Sequence, residues 1–270
     1  MTGRTLTARV VPPTTFTGLK AHRLLERNFM VYRRMWVVLF SGFFEPVFYL
    51  FSIGVGVGAL VGDLTLPDGS AISYAAFVAP ALLAASAMNG AIYESTLNIF
   101  FKLKYGKVYD AILSTPMRPA DIAVGEITWS LIRGGLYAVG FMIVMLVFGL
   151  IESVWAIMAV PAALLIGFAF ASVGMAATSY MRSWQDFDMV QLVTLPLFLF
   201  SATFYPLDVY PEIIQNLTRF SPLYHGVEIV RAVTLGIFDW SIVGHVAFLV
   251  TMGAVGVTIA AKRIEKLLLS

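Results

Sequence analysis

The 270-residue chain contains no cysteine, which excludes a disulfide framework, thiolate catalysis and any cysteine-based metal site. Histidine is scarce too. His22, His225 and His245 lie far apart in sequence, and no H-E-x-x-H or paired-histidine spacing occurs, so no metal site is expected. The chain has no G-x-x-x-x-G-K-[ST] stretch and therefore no nucleotide-binding P-loop of its own. No serine has a glycine two residues before it, so the G-x-S-x-G elbow is missing as well. Charge is the last deficit. Charged residues make up 13% of the chain and hydrophobic residues 59%, against about 25% and about 45–50% in ordinary soluble domains. A mean hydropathy of +0.84 says the same. These values define a polytopic membrane protein. Its basic residues flank apolar runs, a placement that excludes nucleic-acid binding. No cleavable signal peptide is expected, because the first apolar run starts only near Trp36 and no A-x-A-like site closes it.

What is present is a series of long apolar runs. A bilayer span needs about 20 mostly apolar residues, and six such runs are read, at 36–61, 74–99, 127–150, 153–180, 187–205 and 240–261. The expected fold is all-α. Gly54, Gly58 and Gly62 in the first run, and Gly167, Ala171 and Gly174 in the fourth, are small residues at spacings that let helices pack closely in lipid. With a cytoplasmic N-terminus, sixteen of the eighteen basic residues fall on the inner side, leaving Arg219 and Arg231 outside. The positive-inside rule then puts both termini in the cytoplasm. The outer loops carry Asp63, Asp68, Glu152, Asp208, Glu212, Glu228 and Asp239.

Around the spans, residues 1–16 are read as a flexible N-terminus. Residues 17–35 form an amphipathic helix: Ala21, Leu24, Leu25, Asn28, Phe29 and Tyr32 recur at helical spacing, with Lys20, Arg23, Arg27 and Arg34 on another face. This is the pattern of a helix lying in the headgroup plane. The inner loop 102–126 is long and basic. Tyr105, Val108, Tyr109, Ile112 and Leu113 give it a short amphipathic helix that ends at Ser114-Thr115-Pro116, and Asp121 starts the next helical piece. The outer stretch Pro196–Arg231 breaks at Tyr205-Pro206 and again at Ser221-Pro222, with Pro211 opening a first helical turn between them. Irregular backbone near a membrane is tolerated where it is buried in protein or lines a cavity, so this stretch points to a pathway.

Three charges fall within or beside the spans. Glu45, about ten residues into the first run, lies near mid-bilayer at about 1.5 Å per residue, where an acid is a functional candidate. Glu94 and Arg133 sit near the inner ends of the second and third runs, and Arg133 either snorkels or pairs with an acid. Phe43, Phe44, Phe48, Tyr49, Phe198, Phe200, Phe204 and Tyr205 form aromatic bands on the first and fifth runs.

In its order of pieces the chain resembles a type-2 ATP-binding-cassette exporter permease, and within that class the nodulation protein J family of lipo-oligosaccharide export; drug-export permeases are more distant. The residues that carry the likeness are Glu45-Pro46-Val47-Phe48-Tyr49-Leu50-Phe51, Ser86-Ala87-Met88 through Glu94, and Asp121-Ile122-Ala123-Val124-Gly125-Glu126. Phe170-Ala171-Ser172-Val173-Gly174-Met175, Phe204-Tyr205-Pro206-Leu207-Asp208, and Ser221-Pro222-Leu223-Tyr224-His225 through Arg231 complete it. Each motif is weak alone; their order and spacing are specific, and they cover residues 17–265.

The resemblance implies a six-helix transmembrane domain over 36–265 that pairs with a second permease subunit, as a homodimer, in the bacterial inner membrane. Two copies of a separate ATPase, which hold ATP and Mg, dock below, and this chain carries no cofactor and no catalytic residue. The coupling helix at about 102–115 would present Lys104, Tyr105, Val108, Tyr109, Ile112 and Leu113 to the ATPase, beside Lys20, Arg23 and Arg27. An amphiphile (glycolipid, lipo-oligosaccharide or hydrophobic drug) would pass Phe43, Phe44, Glu45, Phe48, Phe198, Phe200, Phe204 and Tyr205. The re-entrant segment 206–231, with Pro206, Pro211, Pro222, His225 and Arg231, would close the exit. A membrane-embedded enzyme acting on lipid-linked sugars is the alternative, and it requires further polar residues meeting at one depth. A secondary transporter predicts an inverted repeat, which runs 1–3 and 4–6 do not show. A scaffold leaves the broken outer stretch unexplained.

Overall fold

A computed structural model of the chain describes residues 20–34, 44–65 and 71–269, leaving aside the side chains of Glu45, Pro46, Val55, Leu268 and Leu269. Phe43 and the side chain of Glu45, both pathway candidates, therefore lie outside the described residues, as do residues 1–19.

Helix α1 (Ala21–Tyr32) precedes an apolar helix that begins as α2 (Phe44–Tyr49), widens into five-residue-step turns over Leu50–Val57 and closes as α3 (Gly58–Val61). Gly62 ends it at φ 75°, a left-handed conformation that glycine reaches without a Cβ clash. A two-stranded antiparallel hairpin, β1 (Asp63–Thr65) and β2 (Ala71–Ser73), follows with Leu64 opposite Ile72. It is a small addition to the all-α expectation. Helix α4 (Tyr74–Tyr93) is capped by the Ser73 hydroxyl, which accepts from the Ala76 amide at 3.2 Å. It runs on through wide turns at Glu94–Asn98 and Phe101–Tyr105, past the expected end at 99. Lys107, at φ 44°, turns the chain into α5 (Val108–Leu113), so the expected single coupling helix is two pieces with a kink.

Helix α6 (Pro119–Val147) starts earlier than its apolar run. Proline suits a first turn, where its missing N–H has no acceptor to lose. Asp121 accepts from the Arg118 amide at 2.9 Å and from the Lys20 amide at 3.1 Å, capping α6 and pinning the start of α1 beside it. A tight turn at Val154–Met158 leads into α7 (Ala159–Thr178). Then come α8 (Asp186–Leu199), a short turn at Leu207–Val209, α9 (Glu212–Arg219), α10 (Pro222–Leu235) and α11 (Ser241–Leu269).

Among the described residues four helices are long and apolar enough to cross a membrane: Tyr74–Tyr105, Pro119–Val147, Val154–Thr178 and Ser241–Leu267. Two expected spans do not reach full length among the described residues. Val47–Val61 is the described apolar part of the first, whose residues 36–43 lie outside the described residues. The fifth is only 14 residues, about 21 Å at about 1.5 Å per residue. It stops at Leu199, and just beyond it Ala202 turns out of the helical path at φ 52°; in the break Ser201 Oγ donates to Leu197 O at 2.6 Å and Thr203 Oγ1 to Phe198 O at 2.9 Å.

Helices α4 and α7 form the centre. In α4, 72% of the apolar window is buried, against 17% in α11 and 22% in α6, which turn most of their surface outward. Helix α11 lies along α7 so closely that a Cβ at Gly256 would stand 2.8 Å from the Ser172 carbonyl carbon, the close backbone approach that small residues permit in membrane bundles. Helix α10 packs on α4, α7 and α11, and α1 packs on α6.

Candidate functional site: charged hubs, an aromatic-lined cavity and an outer clasp

One end of the helical bundle is held by two buried acids. Glu126 on α6 is 2% exposed. Its carboxylate accepts from Lys102 Nζ at 2.8 and 2.9 Å, from the Tyr109 hydroxyl at 3.1 Å and from Asn28 Nδ2 at 3.3 Å. One carboxylate thus ties α1, the end of the α4 helix and α5 to a membrane helix. Charge-assisted hydrogen bonds are the strong ones, and an acid this deep persists because it is paired. Tyr109 is fully buried, and that burial together with the adjacent Glu126 charge pushes its hydroxyl pKa well up, keeping it a donor.

The second hub is Glu94. It pairs with Arg133 Nη1 and also accepts from Asn98 Nδ2 and from the Tyr32 hydroxyl at 3.3 Å. Arg133 donates onward to Tyr32 at 3.1 Å and to Tyr137 at 3.0 Å, and its guanidinium lies over the Tyr32 ring at 5.0 Å. Of the two fates read for Arg133, pairing is the one the structure shows. Burial, and then Glu94, push the Tyr32 pKa to about 12.

The expected ATPase-facing residues divide. Lys104 and Tyr105 are exposed, Tyr105 at 65%. Val108, Ile112 and Leu113 are half-buried against the core. Tyr109 is turned inward at 1% exposure, a correction to its reading as an exposed contact: the α5 face that carries it is drawn down by Glu126. Lys107, Asp110 and Ala111 take the outward positions. On α1, Arg23 is exposed and pairs loosely with Glu26 at 3.3 Å. Arg27 is half-buried and reaches Asn28, and Lys20 donates to the Pro116 carbonyl at 2.8 Å.

Beside Glu94 and Arg133 lies a cavity of about 700 Å³ between α2, α4, α6 and α8, lined among others by Tyr49, Asn89, Tyr137, Gln191, Thr194 and Phe198. Tyr49 meets Phe198 edge-on at 5.8 Å in the cavity wall, and Phe204 stands behind Phe198 at 5.3 Å without lining the cavity. Phe44 and Phe48 stack on one another at 5.8 Å. Phe200 and Tyr205 turn toward Tyr210 instead, at 6.4 and 5.1 Å.

At the opposite end of the bundle, Arg231 is 9% exposed. It donates to the Ala202 carbonyl at 2.8 Å and to Glu228 at 2.9 Å, over the Phe77 ring at 4.0 Å. The Ser201 and Ser221 hydroxyls join at 2.6 Å. Pro206 and Pro211 precede the short turn and α9, and Pro222 is the first residue of α10. His225 meets His245 across α10 and α11, a contact hidden in sequence by a 20-residue separation. Among the described residues no group of three metal-ligating side chains occurs.

A membrane-embedded helical bundle with charged ties at one end and an aromatic-walled cavity has the make-up of a transport subunit. The family model for ABC-2 type transporter matches residues 21–235. The protein named nodulation protein J in Rhizobium leguminosarum bv. trifolii is 32% identical over 213 residues, which is 78% of this chain and 79% of that one. Its namesake in Sinorhizobium fredii is 29% identical over 265 residues, 97% and 98% of the two chains. That of Bradyrhizobium diazoefficiens is 28% identical over 230 residues, 84% and 85%. The chain belongs to the ABC-2 type transporter family and is a permease similar to nodulation protein J.

Proposed function

We propose that this permease is the transmembrane half of an ATP-driven exporter in the bacterial inner membrane, with both termini cytoplasmic. Two copies pair to form the pathway, and two copies of a separate ATPase, carrying ATP and Mg, bind beneath them. The apolar helix ending at Val61 and helix α8, continued by the bent stretch to Tyr205, complete six crossings. The substrate is an amphiphile, a glycolipid, lipo-oligosaccharide or hydrophobic drug, taken from the cytoplasm or inner leaflet.

The observation that carries this reading is Glu126. A push on the exposed face of the 102–113 segment has no slack to cross before it reaches α6, because Lys102 and Tyr109 are bonded to that carboxylate. The same acid holds α1 through Asn28. The coupling surface and the bundle therefore move together. Tilting α4, α6 and α8 reshapes the cavity between them. Its aromatic wall of Tyr49 and Phe198 suits an apolar tail, and Asn89, Gln191 and Thr194 suit the polar end.

The enzymatic alternative requires polar residues meeting at one depth, and the Glu94 cluster is such a meeting. Its acid is already occupied by Arg133, Asn98 and Tyr32, which leaves no free base for catalysis. The test is co-expression with the candidate ATPase and measurement of substrate-stimulated ATP hydrolysis in proteoliposomes. Tyr105→Ala and Lys104→Glu abolish the stimulation if the exposed face docks. Intact stimulation in both variants, or substrate turnover by the permease alone, rejects the proposal.

A further inference from the structure

Helices α10 and α11 meet at their outer ends through two imidazoles. His225 Nδ1 and His245 Nδ1 are 2.6 Å apart. At that distance one nitrogen donates and the other accepts, so the contact can be made while at most one of the two rings is charged. Charging both rings sets two donors face to face. The rings have little room to turn away. Phe248 stacks on His225 with centroids 4.0 Å apart, and Tyr224 stands edge-on to both imidazoles at 5.9 and 5.8 Å. His225 Nε2 is buried without a partner of hydrogen-bonding geometry.

Two acids, Glu228 and Asp239, act on His245, and none acts on His225. On α10 Glu228 is also held by Arg231 at 2.9 Å. Asp239 lies in the turn before α11 and accepts from the Trp240 amide at 2.6 Å. From α9 comes only the Arg219 carbonyl, which favours a charged His225 weakly. Helix α7 and the Val154–Met158 turn have no ionisable residue, α4 has only Tyr74 and Tyr93, and the acids of α8, Asp186 and Asp188, are in its first turn at the opposite end. The ionisable residues of α11 after His245 are Lys262, Arg263, Glu265 and Lys266, in its last two turns. Burial, and then the facing His245, hold the His225 pKa down at about 4.

We propose that the His225–His245 pair is a proton-sensitive clasp on the outer segment, holding α10 to α11 while at most one ring is charged and releasing it when acidification of the outer compartment charges both. Release frees the helix that Arg231 and Ser221 tie to the break after α8. The inference rests on the outward placement of 206–231 in the proposed function. Its sign follows from linkage. An unfolded histidine takes its proton near 6.5 and the folded one near about 4. The clasp therefore stabilises fully above 6.5 and loses that contribution as pH falls toward about 4.

The test is backbone hydrogen exchange of the full-length permease in nanodiscs, corrected for the intrinsic rate, between about pH 7.5 and about pH 4.5. Residues 222–235 of the wild type should lose protection by about tenfold, while residues 119–147 hold theirs. His225→Phe and His245→Gln should each flatten the response of 222–235; should the first fail to fold, the second alone decides. An unchanged wild type, or the same loss in a folded variant, overturns the clasp. Sidedness is read separately. Ile213→Cys, at a position 76% exposed, is the only cysteine in its chain and should react with a membrane-impermeant maleimide on intact cells. No reaction overturns the outward placement, whatever the exchange shows.

Discussion

The two ends of the bundle are fastened differently. At one end, carboxylates act as hubs: Glu126 gathers Lys102, Tyr109 and Asn28, and Glu94 gathers Arg133, Asn98 and Tyr32. At the opposite end, one guanidinium grips a single carbonyl and its own helix's acid, two serines share a hydrogen bond, and two imidazoles touch. The contacts of the first end are charged and several deep, so losing one leaves a buried ion. Those of the second are mostly neutral and few, and apart from the buried Arg231 each can be undone at small cost. The difference suits the proposed exporter, which transmits force at one end and opens at the other.

That contrast can be broken in order of expected effect. Arg133→Ala leaves Glu94 buried and uncompensated and should cost about 3–5 kcal/mol, read as a lowered thermal midpoint and loss of monodisperse protein. The double variant Glu94→Gln/Arg133→Gln should recover part of it; no recovery would mean that the pair does not hold its end of the bundle. Glu126→Ala removes a charged acceptor from three elements at once and should cost about 1.5–3 kcal/mol. Its sharper signature is uncoupling: ATPase binding persists while substrate stimulation falls. At the opposite end, Ser201→Ala should cost only about 1 kcal/mol and leave stimulation intact. A loss as large as that of Arg133→Ala would erase the contrast. Arg23→Ala removes an exposed pair and should leave the thermal midpoint where it was.

Legibility followed sequence separation. The helices behind residues 74–99, 127–150, 153–180 and 240–261 were readable because a long apolar run has one physical solution in lipid. Their ends were less so. Helix α6 begins at Pro119 because a polar cap at Asp121 can start a helix in water before the apolar run begins. Helix α8 ends early at a break where Ala202 takes a left-handed conformation, which an alanine inside an apolar stretch does not announce. The hubs were half visible. Glu94 and Arg133 were noted at the inner ends of neighbouring runs, 39 residues apart. Matching their depths on antiparallel helices was the signal that joins them. Glu126 stood in a quoted motif without a role, since its partners come from three segments. Tyr109 was placed on the wrong face because an amphipathic hexamer does not say which of its sides the neighbouring acid will claim.

The wide turns at Glu94–Asn98 have one more consequence. A turn that holds an extra residue is, in effect, an insertion absorbed without breaking the helix. Removing one residue there would restore an ordinary helix of nearly the same length and apolarity. What lies beyond would stay nearly in place, whereas a residue removed from the regular turns of α4 would swing everything beyond by about 100°, carrying Lys102 away from Glu126. The wide turns should therefore forgive a loss of length that the regular helix before them does not.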